Sequence, residues 1–306
     1  MIQEEKEQEQ RPLVSIVLPT YNGERYLRES LDSIIAQDYA HFELIIVDDA
    51  STDETPQISE VYAKKDRRIS VIRNAKNRKL PGALNVGFSL ARGALYTWTS
   101  DDNMYRPGAL NTMVSFLRAH PEIDLVYTSY STIDDGSKVI RRMDVEGPDY
   151  LWRTNVIGGC FMYRKEMAEK TGLYDESRFV VEDYEYWLRA ARHAKIAQLK
   201  EDLYLYREHG ASLTAKYSHV RAKPTEDAQM LHLPYLPFVT PETRFHAYAR
   251  LTRRPLVRGE YWTGLKRFGI FFKSFPLRST VWLLNQVIGK IGQKLGGKAN
   301  SSKMPS

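Results

Sequence analysis

Short apolar runs alternate with amphipathic segments along the first half of the chain. Residues 13–18 and 43–47 form apolar runs of strand length, and residues 26–38 between them repeat apolar side chains at helical spacing. Runs of this kind suit strands that are buried on both faces. The strand–helix–strand order predicts an α/β domain, with a doubly wound sheet that carries helices on both faces. The alternation continues with predicted strands at 69–72, 93–98 and 124–127, and with predicted helices at 81–91 and 107–117.

Polar segments follow three of the predicted strands, at 19–22, 48–52 and 100–103. In open α/β sheets, ligands bind beyond the carboxyl ends of the strands, so we expect these segments to line one cleft. The last segment holds Asp101 and Asp102, and each acid disfavours ionisation of the other unless a cation or a hydrogen-bond donor lies nearby. Carboxylate oxygens suit Mg²⁺ or Mn²⁺, and these ions suit diphosphates. Asp and Asn also make ordinary turns, so it is the pair together with the other polar segments that indicates a site for a divalent cation and a diphosphate.

The end of the chain differs from the rest in charge and in pattern. Residues 241–306 carry 13 Lys and Arg against 2 acids, so their net charge is +11, compared with +6 for the whole chain. Two amphipathic segments, 261–273 and 279–295, place aromatic and aliphatic side chains among these cations. Neither reaches the ~18–20 apolar residues that span a bilayer. The region 259–298, which contains both segments, is predicted either to make peripheral contact with an anionic membrane or to pack on the catalytic domain or on a second subunit of a homo-oligomer.

The single cysteine, Cys160, lies in an apolar stretch and cannot form an intramolecular disulfide. It predicts a buried structural thiol and favours a reducing compartment, so we expect a cytoplasmic protein or one on the inner face of the plasma membrane. The Glu- and Gln-rich start of the chain predicts a frayed tail rather than a signal peptide. The predicted organisation is a disordered tail at 1–11, a sheet domain at 12–225, a helical basic extension at 226–298 and a tail at 299–306.

Four short motifs follow one another in the first two thirds of the chain. They read P-T-Y-N at 19–22, V-D-D-A-S-T-D at 47–53, S-D-D-N at 100–103 and V-E-D-Y at 181–184. In this order and spacing they resemble the motifs of family 2 glycosyltransferases with the GT-A fold, closest to the spore-coat polysaccharide type. The resemblance covers about residues 12–215. It implies a Rossmann-like, doubly wound mixed sheet and an inverting transfer of a sugar from a nucleoside diphosphate sugar, assisted by Mg²⁺ or Mn²⁺.

The resemblance implies a pocket for the base of a UDP-, GDP- or dTDP-sugar. Tyr21 matches the aromatic residue that stacks on the base, and Pro19 and Thr20 line the same pocket. Asp49 matches the acid that accepts a hydrogen bond from the edge of the base. From the residues alone, Asp49 also suits a local turn, and Tyr21 also suits a lid on the core.

The resemblance also assigns the acids that follow the fourth strand. Asp101 matches the residue near the ribose, and Asp102 matches the metal ligand that bridges to the diphosphate. Thr99 stands where many relatives carry a further acid. Arg78 is placed to reach the diphosphate as a cation, or else belongs to a solvated basic turn.

On the acceptor side, Asp183 matches the general base that takes the proton of the acceptor hydroxyl. From the residues alone, Asp183 also suits the first turn of a helix, where the helix dipole favours an acid. Glu182 is predicted to contact that hydroxyl or to support Asp183. Trp187 is either an acceptor platform or a core residue, and His209 is either a further metal or diphosphate ligand or an exposed loop residue. The implied acceptor is a saccharide or a lipid-linked molecule in the synthesis of a cell-surface polysaccharide or glycolipid.

Two other functional classes make different predictions. A nucleotidyltransferase on a similar sheet needs a Gly-rich basic signature directly after the first strand, where this chain has P-T-Y-N at 19–22. A non-catalytic module that binds nucleic acid or membrane needs basic charge in the sheet domain, yet the first 240 residues sum to a net charge of −5. We therefore expect a glycosyltransferase that has no nucleic-acid partner.

Overall fold

The computed structural model describes residues 11–286. All but the last residue of the predicted tail at 1–11, the whole predicted tail at 299–306 and the end of the predicted segment 279–295 therefore lie outside the described residues. Within 11–286, nine strands form one mixed sheet in the order β3-β2-β1-β4-β8-β6-β9-β5, and β7 pairs with β6. The strands are β1 (Val14–Thr20), β2 (Phe42–Asp48), β3 (Ile69–Arg73), β4 (Leu95–Trp98), β5 (Met104–Tyr105), β6 (Leu125–Ile133), β7 (Val139–Met143), β8 (Phe161–Arg164) and β9 (Ile196–Arg207).

Ten α-helices lie between Leu27 and Ser274, and most follow strands as the pattern predicts. They are α1 (Leu27–Ile35), α2 (Thr55–Lys65), α3 (Lys79–Leu90), α4 (Ala109–Ala119), α5 (Lys165–Thr171), α6 (Glu182–Ala190), α7 (Leu213–Lys216), α8 (Ala222–His232), α9 (Pro241–Val257) and α10 (Tyr261–Ser274). Short 3₁₀ turns lie at Pro148–Tyr150, Glu176–Arg178 and Leu233–Tyr235.

The sheet has a parallel half and a mixed half. Strands β3, β2, β1 and β4 run parallel, which the buried apolar runs predict. Strand β8 lies antiparallel to both β4 and β6, and β9 then runs parallel to β6. The D-D-G turn at 134–136 joins β6 to β7, in agreement with the hairpin that its sequence suggests.

Helices cover both faces of the parallel half. Leu27 of α1 and Leu110 of α4 join a buried core with Leu18 of β1. On the opposite face α3 packs against β1 and β2. A Cβ at Gly87 would lie 2.3 Å from a methyl carbon of Val17, so only glycine lets α3 approach this closely. The prediction of helices on both faces is confirmed.

The chain divides into two compact units after Leu236, eleven residues beyond the predicted boundary at 225. The difference comes from α8, which packs against α6. Its Gln229 donates hydrogen bonds to the backbone oxygen of Arg153 and to the hydroxyl of Tyr184. The polar, proline-bearing sequence around 225 resembles a linker, but one face of the helix is buried and belongs to the first unit.

The second unit begins at Pro237 and contains α9, α10 and a further helical segment at 276–286. Helices α9 and α10 pack on each other through a core that includes Tyr248, Leu251 and Phe271. Within residues 11–286, no helix combines the length and the apolar character required to cross a bilayer.

Candidate active site

The carboxyl ends of β1, β2 and β4 bring the three predicted polar segments to one edge of the sheet. Thr20 at the end of β1 lies in register with Asp48 at the end of β2. The backbone N–H of Asp49 donates to the carbonyl of Thr20 at 2.9 Å, and the Thr20 hydroxyl donates to Asp101 Oδ2 at 2.5 Å. Residues that are 29 and 81 positions apart in sequence therefore form one continuous edge.

Asp101 is held inside this edge. Burial, reinforced by the neighbouring charge of Asp102, raises the pKa of Asp101 to about 7, while the hydrogen bonds from Thr20 and from the Tyr21 backbone oppose the shift. A Cβ at Gly23 would lie 2.2 Å from Asp101 Oδ2. Gly23 is thus a site residue that the sequence analysis missed, although a glycine three residues after a strand is a recognisable signal of close backbone approach.

Asp102 and His209 lie in contact although they are 107 residues apart in sequence. His209 Nε2 lies 2.9 Å from Asp102 Oδ2. Asp102 Oδ1 and His209 Nδ1 are both buried, and neither has a hydrogen-bond partner within residues 11–286. The structure thus joins the two predicted metal ligands and leaves one polar atom of each unsatisfied.

These two side chains provide one carboxylate and one imidazole. Among the described residues, no group of three or more His, Cys, Asp or Glu side chains could hold a metal ion. A divalent ion at Asp102 and His209 would therefore need most of its ligands from a bound molecule or from water. The carboxylate suits Mg²⁺ or Mn²⁺, whereas the imidazole is a better ligand for Mn²⁺ than for Mg²⁺, so of the two predicted ions the pair fits Mn²⁺ better.

The predicted base pocket combines an exposed ring with a buried acid. Tyr21 is 51% exposed at the end of β1, whereas Asp49 is buried. The carboxylate of Asp49 accepts hydrogen bonds from Asn74 Nδ2 and from the backbone N–H of Arg78, each at 2.8 Å to Oδ1. Because a carboxylate oxygen offers two lone pairs, Asp49 retains acceptor capacity for a further partner.

Arg78 lies at the start of α3, and its side chain points to the other half of the domain. Its Nη2 pairs with Glu176 Oε1 at 2.9 Å. The adjacent Lys79 has a left-handed backbone, with φ of 62°, and its ammonium lies 5.0 Å from the ring centre of Phe179. The structure thus places both cations at this edge but gives each a partner within the protein.

Glu182 and Asp183 open α6 as a second acidic pair. Burial raises the pKa of both acids, and Asp183 adds to the shift of Glu182, while the charge of Arg221 opposes both shifts. Glu182 is 5% exposed, and its Oε2 has no hydrogen-bond partner in the described part of the chain. The preceding Val180 has φ of 76°, a strained conformation for a β-branched residue and one that occurs preferentially at functional sites.

Asp183 is oriented by two donors. Asn155 Nδ2 donates to Oδ2 at 2.8 Å, and the N–H of Tyr184 donates to Oδ1 at 2.7 Å. Sequence reasoning missed Asn155, because no motif spacing links it to an acid 28 residues later. The two donors leave Asp183 in one defined orientation.

The acceptor-platform prediction for Trp187 is wrong. The side chain is fully buried, and its ring packs edge-to-face on Phe161, with 4.7 Å between centroids, and on Tyr163. Trp187 lies on the apolar face of the amphipathic helix α6, and this face packs into the core. Cys160 is likewise fully buried, and burial raises the pKa of its thiol to about 12, which agrees with the predicted structural thiol.

A family model described as glycosyl transferase family 2 matches residues 15–172. An uncharacterized glycosyltransferase of Rickettsia prowazekii is 33% identical over 214 residues, which cover 66% of this chain and 66% of the relative. The uncharacterized glycosyltransferase EpsJ of Bacillus subtilis is 30% identical over 242 residues, with 72% of this chain and 67% of the relative covered. The chain thus spans about two thirds of the length of these curated relatives.

Two solved structures resemble the whole described fold. The S. aureus TarS fragment 1–349, crystallised with UDP-GlcNAc, has a TM-score of 0.68 at 20% identity and covers 88% of this chain and 83% of its own. The mannosyltransferase PcManGT of Pyrobaculum calidifontis, solved with GDP-Man and Mn²⁺, has a TM-score of 0.61 at 19% identity, with coverages of 93% and 82%. These likenesses concern the fold, and they confirm the predicted GT-A architecture.

Proposed function

The chain belongs to glycosyl transferase family 2, and we propose that it transfers a sugar, with inversion, from a nucleoside diphosphate sugar to a saccharide or lipid-linked acceptor. The product would be part of a cell-surface polysaccharide or glycolipid. The observation that carries the proposal is the presence of two separate acidic pairs, Asp101–Asp102 at the end of β4 and Glu182–Asp183 at the start of α6. Family membership favours this reaction over nucleotidyl transfer and over a non-catalytic role.

The donor would bind along the edge formed by β1, β2 and β4. TarS was solved with UDP-GlcNAc and PcManGT with GDP-Man and Mn²⁺, which supports a nucleotide-sugar donor for a chain of the same fold. We assign the base to the exposed ring of Tyr21 and the free acceptor capacity of Asp49. Asp101 would face the ribose. Pro19 and Thr20, at the buried end of β1, would line this pocket.

The diphosphate would lie against Asp102 and His209. A Mg²⁺ or Mn²⁺ ion held by these two residues would supply positive charge for the leaving group. Arg78 would exchange its exposed partner Glu176 for a diphosphate oxygen, because the pair is open to solvent and easily replaced.

Asp183 would act as the general base. In an inverting displacement, the acceptor oxygen attacks the anomeric carbon while the bond from that carbon to the diphosphate oxygen breaks on the opposite face. The acceptor hydroxyl passes its proton to the Asp183 carboxylate. The raised pKa makes this carboxylate a stronger base than an exposed aspartate, and Asn155 together with the Tyr184 N–H fixes its direction. Glu182 would contact the acceptor hydroxyl or support Asp183.

The experiment that tests this proposal separates binding from transfer. The melting temperature is measured across UDP-, GDP- and dTDP-sugars with and without Mn²⁺, since a ligand that binds the folded state raises it. Asp183→Asn should keep the donor-induced shift and lose transfer, whereas Asp102→Ala should lose the Mn²⁺-dependent part of the shift. If no nucleotide sugar binds the wild-type protein, or if Asp183→Asn still transfers sugar, the proposal fails.

We also propose that the protein works in the cytoplasm, at the inner face of the plasma membrane, through its second unit. Trp262 is 81% exposed on α10, and Tyr261 and Leu265 lie exposed beside it, close in sequence to Lys266. Binding of the protein to phosphatidylglycerol vesicles, with little binding to phosphatidylcholine vesicles, would support membrane contact. Trp262→Ser should weaken the binding to phosphatidylglycerol vesicles. Leu173→Ser, which alters an exposed apolar side chain of the first unit, is the control. Equal binding by all three proteins would contradict the proposal.

A further inference from the structure

Arg207, the last residue of β9, is a fully buried cation at the donor edge. All three of its guanidinium nitrogens are engaged inside the protein. Nε donates to the carbonyl oxygen of Asp102 at 2.9 Å, and Nη2 donates to Glu29 Oε2 at 2.8 Å. Nη1 donates to the carbonyl of Asp134 and to the hydroxyl of Ser137, each at 3.0 Å.

Arg207 also contacts Asn103, the residue that follows the acidic pair. The backbone N–H of Arg207 donates to Asn103 Oδ1 at 2.8 Å. Asp102 is therefore fixed through its own carbonyl, and the turn that follows it is fixed through Asn103. Both contacts come from one residue that is more than 100 positions later in the chain.

The same cluster holds His209, the second candidate metal ligand. The Tyr26 ring lies 4.3 Å from the Arg207 guanidinium carbon and 5.1 Å, edge-on, from the His209 ring. The Tyr26 hydroxyl donates to Asp135 Oδ1 at 2.6 Å, in the same hairpin turn that Arg207 contacts. One aromatic ring thus separates Arg207 from His209 and touches both.

A buried guanidinium is costly unless its donors are satisfied. Here three segments supply the acceptors for the guanidinium at the end of β9: α1, the turn after β4 and the β6–β7 hairpin. Because every nitrogen already has a protein acceptor, Arg207 has no role as a direct ligand for phosphate. What it touches instead is the backbone of Asp102 and the ring that supports His209.

We propose that Arg207 is a positioning residue that holds Asp102 and His209 at the spacing needed to receive a metal–diphosphate complex. This inference rests on the proposed function of Asp102 and His209 as the diphosphate and metal site. Residues that orient metal ligands typically contribute ~10–100-fold to metal affinity.

The test compares two variants of the cluster with a matched control. Arg207→Lys keeps the charge but cannot bridge four acceptors, and Glu29→Gln removes the charge partner of Arg207 on an exposed helix surface without altering Asp102 or His209. The control is Arg141→Gln, which breaks an exposed ion pair of 2.8 Å between Arg141 and Glu208. Arg141 belongs to the β6–β7 hairpin, and Glu208 is the residue after Arg207.

The measurement is the Mn²⁺ concentration that half-saturates the UDP- or GDP-induced rise in melting temperature, together with the melting temperature of the protein alone. We expect Arg207→Lys and Glu29→Gln to need ~10-fold or more additional Mn²⁺, and Arg141→Gln to match the wild type. A merely structural role would lower the melting temperature of the unliganded protein and leave the half-saturating Mn²⁺ concentration unchanged. That result would overturn the proposal. If Arg207→Lys does not fold, the half-saturating Mn²⁺ concentration of Glu29→Gln provides the test.

The outcomes also separate this inference from the function on which it rests. If the wild-type protein shows no response to nucleotide and Mn²⁺, the proposed function fails and the role of Arg207 falls with it. If the wild type responds and Glu29→Gln responds identically, the donor site stands and only the positioning role is refuted.

Discussion

Replacing Gly23 by alanine measures how closely Asp101 is packed into the donor edge. The new Cβ would lie 2.2 Å from Asp101 Oδ2, 2.8 Å from Asp101 Cγ and 2.7 Å from Thr20 Oγ1. Since van der Waals contact lies near ~3.5 Å, the Asp101 carboxylate must move and its hydrogen bond from Thr20 must break. The side chain is short and held on both sides, so it cannot move aside without cost.

Overpacking of this kind costs about 1–3 kcal/mol of the free energy of unfolding. For a domain of this size each kcal/mol lowers Tm by roughly 2–4 °C, so Gly23→Ala should melt roughly 2–12 °C below the wild type. If Asp101 contacts the ribose as proposed, the displaced carboxylate should also weaken the binding of UDP or GDP.

The assay is a thermal melt followed by a nucleotide titration in Mn²⁺. Gly210→Ala is the matched control, since it lies in the same unit, and a Cβ there would meet no atom within 4 Å. It should melt and bind like the wild type. If Gly23→Ala does so as well, Asp101 does not lie against the Gly23 backbone, and our account of this edge is refuted.

Three further predictions concern the second half of the first unit. Burial raises the pKa of Asp183, so the transfer rate should begin to fall, as the pH is lowered, at a pH above the ordinary pKa of an aspartate. Asn155→Ala removes a hydrogen bond that lowers this pKa, so the acid limb of the pH–rate profile should move to still higher pH. Burial, with the charge of Asp183, raises the pKa of Glu182 from 4.5 to about 8, so the folded state binds this proton more tightly than the unfolded state and stability is lost as the pH rises between these values. Glu182→Gln should therefore raise Tm relative to the wild type at pH 8–9. The control Glu201→Gln, at an exposed position, should not raise it. Trp187→Ala should destabilise the protein by about 3–5 kcal/mol, as large core truncations do; a normal denaturation midpoint with a changed acceptor KM would restore the platform interpretation.

The hydrophobic pattern predicted the parallel half of the sheet well, because strands buried on both faces leave continuous apolar runs. The predicted strand at 43–47 became Phe42–Asp48, and the predicted helix at 26–38 became Leu27–Ile35. The polar segments at the strand ends then met at one edge, as the topology of such sheets requires.

Tertiary packing explains the predictions that were wrong. The sequence around 225 is polar and contains Pro224, yet α8 buries Ala228 and Met230 and joins the first unit. An aromatic residue in an amphipathic helix has the same pattern whether its face meets ligand or core, so the environment of Trp187 could not be predicted.

Other site residues left no local signal. Asn155 and Arg207 act on partners 28 and 105 residues away, and no spacing rule connects them. The assignments of Tyr21, Asp49 and Asp183 to base and acceptor remain predictions, which the binding and transfer assays above address.

The position of Arg207 also has a consequence for the order in which the domain matures. Asp101 and Asp102 are synthesised a third of the way along the chain, but the residues that complete their site lie on and after β9, the last strand of the sheet. Strand β9 pairs with β6 and β5, so its contacts span long stretches of sequence and form slowly. A nascent chain that ends before β9 lacks both Arg207 and His209, so any binding that depends on the Asp102–His209 pair requires β9 to be in place first.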